Sequence, residues 1–154
     1  MIVHFLLAYM ATIGFSLIFN VPVKELAFCG IAGAFGWLVY QAVMSLSPGV
    51  VAASFAAALV IAYISRAFSF RRKMPANLYM IPGVIPLVPG AGIYYTMYYI
   101  INGDNTEAIL RGIETMMISG VIAIGLLIIL SLPQGMFRFF EKAPAKQENK
   151  NLKM

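Results

Sequence analysis

Charge is what this sequence lacks. Only 11% of its residues are charged, against about 25% in an ordinary soluble domain. No Asp, Glu, Lys or Arg occurs from Leu26 to Ser65, from Met74 to Gly103, or from Thr115 to Phe137. Each run is at least as long as the ~20 residues a helix needs to cross about 30 Å of hydrocarbon. With 61% hydrophobic residues, a chain this small cannot hide its apolar surface in a core of its own. A water-soluble globular fold is therefore excluded, and the lipid bilayer is the expected solvent.

Other scarcities exclude chemistry. Cys29 is the single cysteine, so there is no internal disulfide and no thiolate metal cluster. Its apolar setting reads as a buried packing thiol. His4 is the single histidine and cannot make a metal site alone; it reads as a partly hydrated residue near the outer end of the first span. No phosphate-binding Gly-rich loop, His-Glu-x-x-His or Gly-x-Ser-x-Gly occurs. An enzyme is not expected, and the residues call for no cofactor and no metal.

What is present is positive charge in a particular place. The net charge is +5, but the basic residues flank hydrophobic runs, which reads as membrane orientation rather than nucleic-acid binding. Five helical crossings are expected: Ile2 to Phe19, Leu26 to Leu46, Val50 to Ser65, Leu78 to Ile101 and Thr106 to Leu132. Phe19-Asn20-Val21-Pro22 reads as a span end and turn, with Asn20 as the helix cap. The first run lacks the basic flank and cleavage site of a signal peptide. Ser47-Pro48-Gly49 is a turn signal. The third crossing is short, so it either continues into the basic segment or sits where the bilayer is thin. Asp104 and Glu107 form a capping-box-like start for the last helix. With five crossings, Lys24, the Arg66/Arg71/Arg72/Lys73 group and the basic residues from Arg138 onward all fall on one side. That side is expected to be the cytoplasm, with the N-terminus outside. The expected architecture is all-α: a polytopic transmembrane helix bundle over residues 1–142, then a polar, disordered cytoplasmic tail over 143–154.

The fourth crossing is broken. Pro82, Gly83, Pro86, Pro89, Gly90 and Gly92 crowd eleven residues of a charge-free run. Proline removes a backbone donor and clashes with the preceding turn. Irregular backbone at membrane depth is tolerated only where protein buries it or water wets it. Such segments offer free carbonyls and, after Gly90, a new helix N-terminus, which is how discontinuous helices build transporter sites. The competing reading is a kinked structural helix. Beyond the break, Tyr98 and Tyr99 fit an interfacial aromatic belt, whereas Tyr94 and Thr96 lie deeper and are candidates for polar lining.

Other residues carry lesser expectations. Gly30, Gly33 and Gly36 form small-xxx-small patterns with Ala32 and Ala34, which read as helix-packing positions. Gln41 must find a hydrogen-bond partner at depth. Glu114 is the acid nearest a span interior, and Arg111 stands three residues earlier on the same face; together they are candidates for ion or charge coupling.

The Phe19-Asn20-Val21-Pro22-Val23 turn, the glycine helix around Cys29, the Ile85-Pro86-Leu87-Val88-Pro89-Gly90 segment and the tyrosine-rich helix after it resemble the small subunit of the threonine/serine exporter family. The resemblance covers nearly all of the chain except the tail. It implies a bacterial cytoplasmic membrane protein that exports small hydrophilic metabolites, amino acids or small dicarboxylates, on an ion gradient. It also implies a larger membrane subunit as partner, with Pro86, Pro89 and Gly90 as the characteristic positions. Five crossings without an internal repeat point the same way, because alternating access pairs one half against another. A homo-oligomer would also supply the missing half. An accessory protein or a homo-oligomeric channel without transport activity of its own is the rival reading.

Overall fold

The computed structural model describes residues 2–46 and 49–133. The Ser47–Pro48 turn, the basic residues from Arg138 onward and the tail lie outside the described residues. Among the described residues all regular structure is helical: α1 (Ile2–Ile18), α2 (Leu26–Leu46), α3 (Val50–Arg72), α4 (Asn77–Val84), α5 (Gly90–Ile101) and α6 (Asn105–Ser131). Short 3₁₀ turns at Val23–Glu25 and Ile85–Leu87 precede α2 and follow α4.

Length and apolarity qualify three helices to cross a bilayer, those ending at Leu46, Arg72 and Ser131. The pair Asn77–Leu87 and Gly90–Ile101, bent by 46°, makes a fourth if it is one span. At 17 residues α1 is shorter, about 26 Å at 1.5 Å per residue. The third helix does not stop at Ser65 but runs on to Arg72. Arginine is a good helix former, and the long side chains of Arg66, Arg71 and Arg72 let the helix continue into a polar boundary. Its end is set by Lys73 in the left-handed region (φ 56°), whose N–H bonds the Ser69 carbonyl.

Small residues bring the helices together. Ala8, Thr12 and Ser16 form the buried stripe of α1, one residue per helical turn. The Thr12 and Ser16 hydroxyls donate to the carbonyls of Ala8 and Thr12 at 2.8 and 2.7 Å, so neither is left unpaired in an apolar interior. A Cβ at Gly30 would meet the Tyr9 ring at 2.6 Å, one at Gly33 would overlap Thr12, and one at Gly36 would overlap Ile61. The α2 glycines thus sit at its crossings with α1 and α3, where lipid-embedded helices gain stability by close van der Waals approach. Asn20, at φ 57°, ends α1. Its N–H bonds Leu17 O at 3.1 Å and the Val21 N–H bonds Ser16 O at 3.0 Å, the paired bonds of a Schellman cap.

The contacts define directions. Phe5 meets Phe35 while Tyr9 meets Gly30, so α1 and α2 are antiparallel. Gly36 meets Ile61 while Glu25 meets Arg72, so α2 and α3 are antiparallel. Leu78 meets Cys29 and Gly83 meets Gly33, so α4 runs with α2. Gly92 meets Thr115 and Thr96 meets Gly112, so α5 opposes α6. Gly125 meets Ala58 and the end of α6 meets Arg66, so α6 runs with α3. The segment α4–α5 therefore carries the chain from the Glu25 end of the bundle to the Asp104 end. The main apolar cluster, with Ala57, Ala58, Ile61, Leu87, Ile118 and Ile122, lies where α3, α6 and the turn after α4 meet.

A bent segment and a buried charge cluster at its α4 end

Each proline of the bent segment leaves a local signature. Pro82 sits inside α4 and cannot donate to Leu78 O, four residues back. The Cys29 thiol of α2 points at that carbonyl at 3.4 Å and takes the missing donor's place. A Cβ at the neighbouring Gly83 would lie 3.1 Å from Ile61 and 3.6 Å from the Gly33 backbone nitrogen, so α4 docks nearly backbone to backbone on α2. Pro86 lies in the 3₁₀ turn, and Val88 is extended at φ −60°, ψ 128°, as a residue before proline prefers. Pro89 has φ −77°, ψ 60°, and the Gly90 N–H bonds Val88 O at 2.7 Å, an inverse γ-turn. From there α5 starts on its new axis.

The predicted path residues lie in different surroundings. Pro82 and Gly83 are buried against α2 and α3. Pro86 lines a cleft of about 240 Å³ with His4, Leu7, Ala8, Ala11 and Trp37. Pro89 and Gly90 form the second bend, and a Cβ at Gly90 would touch nothing within 4 Å. Gly92 sits against Thr115 of α6. The Thr96 hydroxyl donates to Gly92 O at 2.7 Å. Tyr94 is 64% exposed and stacks on Tyr98 at 6.4 Å. No residue of α5 is buried.

Arg111 and Glu114 stand 3.5 Å apart on an exposed face of α6, with Glu107 3.8 Å on the other side of Arg111. Asp104 caps the same helix by accepting the Glu107 N–H at 3.2 Å. This ladder lies in the first turns of α6. Among the described residues, no group of three or more His, Cys, Asp or Glu side chains is placed to hold a metal ion.

Among the described residues, sequence reasoning missed a dense polar cluster. Glu25, 7% exposed, ends the turn before α2. Arg72, in the last turn of α3, grips it with Nε at 2.8 and 3.0 Å and Nη2 at 2.7 Å. The Tyr79 hydroxyl of α4 donates to Glu25 Oε2 at 2.7 Å, and Tyr79 is fully buried. The Arg72 guanidinium also lies 4.4 Å from the Phe28 ring centre. A bidentate Arg–carboxylate pair with a third donor is the strong form of an ion pair. Glu25 carries a signal of its own: it is the sole Asp or Glu before Asp104. Reading charge only for orientation passes over it, because Lys24 beside it serves that purpose. Beside the α4 end of this cluster lies a cleft of about 290 Å³ lined by Phe19, Asn20, Val21, Pro75, Asn77, Leu78, Ile81 and Pro82.

Apolar, glycine-packed helices of spanning length, interrupted by irregular backbone, define a helical membrane protein. Residues 4–132 match the family described as Threonine/Serine exporter, ThrE. The chain belongs to that family, which is a family of exporters and not of enzymes. An uncharacterized protein of Haemophilus influenzae is 32% identical over 92 residues, covering 60% of this chain and 31% of that protein. The matched region thus spans about a third of the length of that relative. No solved structure matches the chain.

Proposed function

We propose that this chain is the small membrane subunit of a secondary exporter of small hydrophilic metabolites, threonine/serine-type amino acids or small dicarboxylates, and that the bent α4–α5 segment lines the solute path. The observation that carries this reading is the placement of the break. The break Ile85–Pro89, a 3₁₀ turn followed by extended Val88 and the turn at Pro89, lies midway between the Glu25 end and the Asp104 end, with Leu87 in the main apolar cluster. Irregular backbone at that depth fits a path sealed by protein. The alternating helix directions support five crossings, with the N-terminus outside and the C-terminus in the cytoplasm by the positive-inside rule.

A second membrane chain, the larger subunit of the same exporter or another copy of this one, covers α5. Its support is the tyrosine face. Tyr94 is eight residues before Asn102, about 12 Å deeper along the helix, and exposes its phenol. A hydroxyl facing lipid at that depth lacks a partner, whereas a facing chain or a wetted path supplies one. In this reading Arg111 and Glu114 lie at the outer mouth.

Counterflow of labelled threonine and of labelled succinate into proteoliposomes tests the proposal, with this chain alone and with the larger subunit. Uptake requiring both chains supports the two-component exporter, and the preferred label names the substrate class. Uptake with this chain alone makes it a self-sufficient homo-oligomer. No uptake in either case, with folded protein verified, returns the chain to an accessory role.

A further inference from the structure

We propose that Glu25, Arg72 and Tyr79 are positioning residues for transport: they form a latch that holds α4 on α2 and α3 and opens once per cycle. The inference rests on the exporter reading above. Four observations meet at this place. The latch joins three elements through one buried carboxylate, with Arg72 from α3 and Tyr79 from α4 both bound to Glu25 before α2. The helix it holds is a rod of eight residues between two joints. One joint is the left-handed Lys73 followed by Pro75, and the other is the turn with Pro86 and Pro89. Beside the rod is open space, the cleft of about 290 Å³ that Asn77, Leu78, Ile81 and Pro82 share with the end of α1. Under the rod lies the thiol of Cys29, fully buried and pointed at Leu78 O.

A permanently closed clamp and a working latch differ in what they let happen to Cys29. If α4 lifts toward the cleft, the Tyr79–Glu25 and Cys29–Leu78 hydrogen bonds both break. Lifting then uncovers Cys29. The Arg72–Glu25 pair, which stays between α2 and α3, keeps the charge neutralised while α4 is away, so opening does not strand a lone carboxylate.

The native and sole cysteine is the reporter. The protein, reconstituted with its larger subunit, is treated with N-ethylmaleimide with and without saturating solute while counterflow is followed in parallel. Tyr79→Phe, which keeps the ring and removes the hydroxyl, is compared with Arg72→Lys, which keeps the charge and removes the fork. The expectation is that solute speeds Cys29 labelling several-fold. Tyr79→Phe should speed it about tenfold without solute, the scale of losing one hydrogen bond to a charged group. Active counterflow with Cys29 labelled at one slow rate throughout, in both variants, overturns the latch while the exporter reading stands. If counterflow itself fails, the exporter reading falls, and an unchanged labelling rate in Tyr79→Phe overturns the latch independently. Should Tyr79→Phe not fold, the solute dependence in the unmodified protein and in Arg72→Lys decides alone: acceleration supports the latch, and its absence overturns it.

Discussion

The Cys29 thiol and the Leu78 carbonyl face each other at 3.4 Å because Pro82 has no N–H to give that carbonyl. A proline in one helix has thus been matched by a donor from another. The relationship predicts a coupled pair of mutants. Cys29→Ala leaves Leu78 O unmatched and should cost about 1 kcal/mol, whereas Cys29→Ser keeps a donor and should cost less. In a Pro82→Ala background, residue 82 regains its N–H and bonds Leu78 O within α4. Cys29→Ala should then be nearly neutral. Thermal unfolding in detergent, arranged as a double-mutant cycle, reads the coupling. Strict additivity would break the link between Pro82 and Cys29.

Two glycines of similar sequence appearance should behave oppositely. A Cβ at Gly33 overlaps Thr12, whose hydroxyl is engaged with Ala8 O, while a Cβ at Gly90 meets nothing within 4 Å. Gly33→Ala should therefore lower the melting temperature, by overpacking worth about 1–3 kcal/mol. Gly90→Ala should leave it unchanged or raise it, by up to about 1 kcal/mol through the unfolded chain. This separates folding from transport. A Gly90→Ala or Gly90→Leu protein that is stably folded yet impaired in counterflow places Gly90 on the solute path. Normal counterflow in folded Gly90→Leu removes it from the path.

The helical character of the chain was legible because charge-free runs, Pro–Gly clusters and cap residues act locally. Asn20 and Asp104 do in the structure what their residue types favour at helix ends. The end of α3 was legible only as one of two alternatives, the helix that continues into the basic segment, and it runs to Arg72. Hydropathy marks where apolar residues stop, and a helix of arginines continues until a left-handed residue such as Lys73 ends it. The Glu25–Arg72–Tyr79 cluster was least legible of all. Its members are 47 and 54 residues apart along the chain, and no periodicity within one helix connects them. What brings them together is the antiparallel return of α3 and the docking of Gly83 on Gly33, which are tertiary facts.

Arg66 makes another long-range polar contact. Its guanidinium donates to the carbonyls of Ile129, Leu130 and Leu132, at the end of α6 where a helix's last carbonyls run short of intrahelical donors. A cation at a helix C-terminus also suits the helix dipole. Arg66→Ala should destabilise the protein by about 2–3 kcal/mol. Arg66→Lys, a point charge without the fork, should recover only part of that. Melting temperatures of the two variants check the order. Equal loss in both would mean the planar geometry matters and the charge does not.

The direction of the bent segment decides the topology. Contacts at both ends carry α4–α5 from the Glu25 end to the Asp104 end, yet a 46° bend is also the shape of a segment that turns back inside the bilayer. In a Cys29→Ser background, single cysteines at Lys24, Lys73 and Asn102 separate the two arrangements. A through-crossing predicts that a membrane-impermeant maleimide labels Asn102→Cys from outside intact cells. Lys24→Cys and Lys73→Cys should react only after the membrane is opened. Glu25 and Arg72 are bonded to each other, so their neighbours Lys24 and Lys73 share one side. Asn102 lies beyond the end of α5, next to the Asp104 cap. If Asn102→Cys shares the accessibility of Lys73→Cys, the segment turns back. The number of crossings is then even, and the shared placement of the basic groups no longer orients the chain.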